Sequence, residues 1–186
     1  MNIIFLDMDG VINSGIVQEQ WVKEHGTSEE ARNAFIDKFC MNSKFPYYYI
    51  VPELLERFNT LYSKIDDCKV VWSSSWRNTA GRNSKRFVEG LYYKCGLPKN
   101  SFLGYTPYIP YMLRNTEILE WIFEFRDQYK IDKCAIIDDL EEAEIIQTKE
   151  MEVQIKFFKT SSRFGLTQEI ADEILNYFNE RENKND

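Results

Sequence analysis

Histidine is almost missing from this chain of 186 residues; His25 is the only one. One imidazole cannot build a histidine-rich metal set, and its place between the first strand and the next helix reads as a surface residue. Long apolar runs are missing too. The longest fall far short of the ~18 residues that span a bilayer, so no membrane segment is expected. The opening Met-Asn-Ile-Ile-Phe-Leu-Asp lacks the basic stretch and small-residue cleavage site of a secretory leader. Cysteine is sparse, and Cys40, Cys68, Cys95 and Cys134 form no C-x-x-C pair. That argues against a zinc site or a disulfide framework, and for reduced, mostly buried thiols in a cytoplasmic protein. Positive charge is in deficit, with 23 Lys and Arg against 30 Asp and Glu, a net −7. A broad grip on a nucleic-acid backbone needs a basic face, so no extended nucleic-acid surface is expected. A phosphorylated small molecule, or a single nucleic-acid end in a local basic pocket, remains compatible. No G-x-x-x-x-G-K-[ST] loop is present, which excludes a built-in nucleotide-driven kinase.

What is present suits one folded unit. The length is close to a single domain at ~150 residues each, and 44% hydrophobic residues supply a core. Short apolar runs at Ile3–Leu6, Val70–Trp72 and Ala135–Ile137 end abruptly in polar residues, as strands buried on both faces do. Val153–Lys159 and Ser101–Tyr105 are weaker strand candidates. Between them the spacing predicts helices: one opened by Pro52, then Ser84–Lys94 stopped by Gly96, Asn115–Tyr129, and a last one capped by Thr167. Alternating strands and helices mean an α/β three-layer sandwich with a mostly parallel, Rossmann-like sheet. Residues 1–180 read as one domain, 17–50 as a small helical, cap-like insertion with an aromatic loop (Phe45–Tyr49), and 181–186 as a frayed tail.

Four signals carry chemistry, and three sit at strand ends. Asp7-Met8-Asp9-Gly10 places two carboxylates at the carboxyl edge of the first strand, where open α/β sheets bind ligands, and Gly10 permits a sharp exit. Ser73-Ser74-Ser75-Trp76-Arg77 follows the second strand, where hydroxyls, N–H groups and the Arg77 charge can cradle a phosphate. Asp138-Asp139 ends another strand, and two like charges so close call for a cation or hydrogen bonds. Arg114, before the Asn115 helix, can send a cation to the same edge.

In that order these residues resemble the haloacid dehalogenase-like (HAD) superfamily of phosphohydrolases. The resemblance implies Asp7 as nucleophile, Asp9 as general acid/base, Ser74 (or Ser73, the register of a triple serine being ambiguous) as the second-motif hydroxyl, and Asp138 and Asp139 as the acidic metal motif. The third motif is usually lysine. Here its match is Arg114, with Lys85 and Arg86 as less suitably placed alternatives. Leu6–Asn13, Ser74–Arg77, Thr106-Pro107, Arg114-x-x-Glu117, Ile137–Asp139, Phe158–Thr160 and Gly165–Thr167 look like one subgroup. It is the HAD domain of multi-domain "Swiss army knife" RNA-repair proteins and of small stand-alone proteins, which often carries arginine at the third motif.

The resemblance implies a Mg²⁺-dependent phosphomonoesterase working through an aspartyl phosphate. Mg²⁺ would be held by Asp7, the main-chain carbonyl of Asp9, and Asp138 or Asp139. Gly10, Ser73, Ser75 and Arg77 would line the phosphate. A nucleotide or nucleic-acid phosphate end is one substrate class. The alternatives are a small-metabolite phosphatase acting on sugar phosphates and a catalytically weak HAD-fold binding module. The aromatics Trp21, Tyr47–Tyr49 and Trp76, with Arg77, Arg82, Lys85 and Arg86, could stack a base and hold a second phosphate. Packing of those aromatics against the sheet is the preferred reading.

Overall fold

The structure, a computed structural model, describes residues 1–39, 49–81, 85–145 and 152–180. All five apolar runs form strands: β1 (Asn2–Leu6), β2 (Cys68–Trp72), β3 (Phe102–Tyr105), β4 (Lys133–Asp138) and β5 (Gln154–Lys159). They make one sheet in the order β3-β2-β1-β4-β5, every neighbouring pair parallel. The reason lies in the strand sequences. Ile4, Leu6, Val70, Trp72 and Ile137 turn to one face of the sheet, and Ile3, Phe5, Val71, Cys134 and Ile136 to the other. A strand apolar on both sides needs helices on both sides.

Helices α3 (Pro52–Tyr62), α4 (Lys85–Lys94) and α6 (Gln168–Asn179) supply Phe58, Val88, Tyr92 and Ile174 to the first face. Helix α5 (Arg114–Tyr129) covers the second with Ile118, Trp121 and Ile122. Pro52 occupies the first turn of α3, as expected. Thr167 caps α6, its side chain accepting from the Ile170 N–H at 3.4 Å. Arg114 is the first residue of α5 rather than its predecessor, because Leu113 takes the extended cap position.

The stretch after β1 holds α1 (Gly15–His25) and α2 (Glu29–Phe39). Their aromatics pack on one another: Phe35 lies 5.7 Å from Trp21 and 5.4 Å from Tyr49, centroid to centroid. The Tyr49 hydroxyl donates to the Ser14 carbonyl at 2.8 Å. His25 is exposed and rests against Trp21. Cys68, Cys95 and Cys134 are buried. Cys40, Phe45–Tyr48, Arg82, Ser84 and the 181–186 tail lie outside the described residues. Among those described, no helix is long and apolar enough to cross a membrane.

Candidate active site

The chain runs outward from β1 through β2 to β3, then returns to the opposite side of β1 for β4 and β5. Strand order therefore reverses between β1 and β4, and the crevice beyond their carboxyl ends is where such sheets take ligands. Register completes the placement. Leu6 pairs with Ile137, so Asp7 and Asp138 emerge side by side. The Asp7 N–H donates to the Ile137 carbonyl at 3.1 Å, and the Ser73 N–H to the Leu6 carbonyl at 2.8 Å. Motifs 66 and 131 residues from Asp7 are thus delivered to it by backbone pairing alone.

Asp7 is 3% exposed and Asp138 1%, and one guanidinium nitrogen serves both. Arg114 Nη1 lies 3.7 Å from Asp7 Oδ1, 3.9 Å from Asp138 Oδ2 and 3.5 Å from the Ser73 hydroxyl. At those distances it is an ion-pair partner but a poor hydrogen-bond donor to the carboxylates. Asp7 Oδ1 and Asp138 Oδ2 are accordingly buried without a hydrogen bond. Burial first, then the Asp138 charge, pushes the Asp7 carboxyl up to about 8; Arg114, the Ser74 hydroxyl and the Met8 N–H pull the other way. Burial likewise raises Asp138 to about 6 against the pull of Arg114. The two titrate as a pair.

Asp139 is half-buried and also raised, chiefly by burial. Its carboxylate fills the space beside Gly10, whose φ is +67°; a Cβ there would lie 2.5 Å from Asp139 Cγ. Carboxylate oxygens of Asp7, Asp138 and Asp139 come within 4.8 Å of one another. Three hard oxygen donors, two of them orphaned and buried, fit a hard divalent cation such as Mg²⁺. A buried acidic pair of this kind otherwise leaves charge uncompensated.

The family model for the HAD domain in Swiss Army Knife RNA repair proteins matches residues 3–171. The chain belongs to this family. No curated protein and no solved structure matches it.

Of the three cations weighed for the third motif of this HAD domain, Arg114 is the one in ion-pair range of both buried carboxylates, whereas Lys85 and Arg86 are exposed on α4. Both candidate serines are at the site: Ser73 faces Arg114 and Thr106, while the Ser74 hydroxyl acts to lower the Asp7 carboxyl pKa. Ser75 is exposed at the start of a 3-10 turn (Ser75–Gly81). Asp9 lies apart from the clustered carboxylates. Asn13 Nδ2 donates to its Oδ1 at 2.8 Å and Trp76 Nε1 to its Oδ2 at 2.9 Å.

Arg77 is committed elsewhere than at a phosphate. It is 3% exposed, and its Nη2 meets Glu117 Oε2 at 2.6 Å. Its other contacts are the carbonyls of Ser74 (2.7 Å) and Pro107 (3.3 Å). Glu117 Oε1 accepts from the Ile109 N–H at 3.0 Å. This buried ion pair ties the serine turn to the loop before α5 and to α5 itself, one turn from Arg114. Trp76 is 1% exposed and Trp21 packs against Phe35 and Phe39, so the described aromatics follow the preferred reading, packing. Tyr108 and Tyr111, with Met112 and Leu113, are exposed in the segment directly before Arg114. Asn13 and Glu117 sit inside recognisable motifs, yet only their contacts reveal what they do.

Proposed function

We propose that this HAD domain is a phosphomonoesterase that forms an aspartyl phosphate on Asp7. The observation that carries the reading is Asp7 Oδ1, buried without a hydrogen bond at the sheet's switch point and facing a single guanidinium. In the first step an Asp7 oxygen attacks phosphorus and the ester P–O bond breaks, its oxygen taking a proton from Asp9. Water then attacks the same phosphorus and gives its proton to Asp9. The Asp7–phosphorus bond breaks, releasing inorganic phosphate and restoring the carboxylate. Arg114, Ser73 and Ser74 offset charge on the oxygens that do not react, where most of the barrier lowering in phosphoryl transfer arises. Asp7, Asp138, Asp139 and the main-chain carbonyl of Asp9 would hold Mg²⁺. When bound it supplies the charge that lets an anionic nucleophile approach an anionic phosphate.

We further propose a nucleotide or nucleic-acid phosphate end as the substrate. The family's occurrence in RNA repair proteins supports this, as do the exposed Tyr108 and Tyr111 beside Arg114, suited to stacking a base. The test is hydrolysis of p-nitrophenyl phosphate with Mg²⁺ and with EDTA, by the native chain and by Asp7→Asn. Metal-dependent turnover that vanishes in the variant is expected; turnover that survives the substitution overturns the mechanism. A panel of 3′- and 5′-phosphorylated oligonucleotides against sugar phosphates then decides the substrate class.

A further inference from the structure

A carboxylate on an exposed turn normally rotates freely. That of Asp9 does not, because both its oxygens are held by donors from different elements. Asn13 belongs to the turn that leaves β1, and Trp76 to the 3-10 turn that leaves β2. Each donor is fixed in its own right. Asn13 is 5% exposed and its Oδ1 accepts the Gly10 N–H at 2.9 Å. Trp76 is 1% exposed, its indole packed in the core on the α3/α4 face. A carboxylate oxygen has two acceptor sites, so each Asp9 oxygen keeps one after meeting its donor.

We propose that Asn13 and Trp76 are positioning residues for Asp9, a two-donor clamp that turns the remaining oxygen position of its carboxyl, where the transferred proton sits, toward the oxygen of the departing group. The proposal rests on the reading of Asp9 as proton donor. Proton transfer demands a heavy-atom approach of ~2.6–3.2 Å, which a freely rotating carboxylate seldom offers. The clamp therefore matters in proportion to how much the leaving oxygen needs its proton. p-Nitrophenolate departs with little help, whereas phenolate needs more.

Trp76→Phe keeps an aromatic ring in the core and removes the indole N–H along with the rest of the five-membered ring. Asn13→Asp keeps the acceptor for Gly10 and replaces the donor with a like charge. In Trp76→Phe, kcat/KM for phenyl phosphate is expected to fall ~10-fold, part of the ~10²–10⁴ that a general acid contributes. For p-nitrophenyl phosphate it should stay within ~3-fold, since that ester needs the acid least. Asn13→Asp should show the same inequality, larger. As a check independent of turnover, the Trp76 indole N–H resonance should move in Asp9→Ala while those of Trp21, Trp72 and Trp121 stay put. Equal losses for the two esters, or an unmoved Trp76 resonance, overturn the clamp while leaving Asp7-dependent turnover intact. If the native chain hydrolyses neither ester, or Asp7→Asn still does, the phosphatase reading itself falls and the clamp with it.

Discussion

Asp7 and Asp138 are where burial works against charge. Both carboxyls are raised from an ordinary 3.8, Asp7 to about 8 and Asp138 to about 6, so the folded protein holds protons that the unfolded chain has already lost. Stability from such groups is fully present below pH ~4 and is lost as pH rises through their folded values. In EDTA, the melting temperature should therefore drop by ~5 °C or more between pH 5 and pH 8, at ~2–4 °C per kcal/mol for a chain of this size. Mg²⁺ should restore most of that loss at pH 8 and change little at pH 5, since it binds the ionised carboxylates. Asp7→Asn should flatten the pH response. Differential scanning calorimetry checks all three, and a melting temperature that climbs from pH 5 to pH 8 in EDTA would show the carboxylates to be compensated by other means.

Elements deliver these residues, and the Arg77–Glu117 pair locks two of them together. It joins the turn after β2 to α5 and pins the 107–109 segment between. Removing one member of a buried pair strands the other's charge, at a cost of ~3–5 kcal/mol. Glu117→Ala should thus lower stability by about that much in chemical denaturation, with activity falling further because Arg114 loses its footing one turn away. Arg77→Ala should cost a similar amount, and the double replacement Arg77→Met/Glu117→Leu less than either alone. Additive losses would show the two side chains to be energetically independent. A second brace runs from the β5–α6 loop to the β1 loop: Leu166 N–H to Val11 O at 2.9 Å, and Gly15 N–H to Ser162 O at 2.8 Å. Gly165 makes this approach possible, at φ +71°, with a Cβ position 3.0 Å from the Val11 carbonyl. That close contact explains the Gly-Leu-Thr signature as backbone packing rather than chemistry.

For the molecule as a whole, charge limits how it can meet a substrate. A net −7 gives a long phosphate backbone no overall attraction, so we propose that the chain engages only the phosphorylated end. A phosphorylated dinucleotide and a 20-nucleotide strand with the same phosphorylated end should have kcat/KM within ~3-fold of each other, with a shallow salt dependence. A steep gain with length, measured at two salt concentrations, would reveal a backbone-binding face that the composition argues against.

The three central strands were legible because a parallel strand covered on both sides must be a continuous apolar run, while the half-exposed edge strands β3 and β5 gave weaker patterns. The acidic motifs were legible because they follow the central runs directly. The amphipathic spacing of α3, α4, α5 and α6 was equally plain. Contacts between distant elements were not. Trp76 read as packing with no hint of its bond to Asp9, and Arg77 looked like a phosphate ligand, since sequence records residue type and not neighbour. Their partners, Asp9 and Glu117, lie 67 and 40 residues away and come into reach only once β1 pairs with β2 and the loop after β3 turns back over the serines. The sequence by itself determined the alternation of strand and helix, the family and the order of the motifs, all of which follow from local pattern. Only the tertiary structure decided which cation faces Asp7, which serine faces that cation and what holds Asp9, because those depend on strand order and register, which bring residues together without leaving a mark in either segment alone.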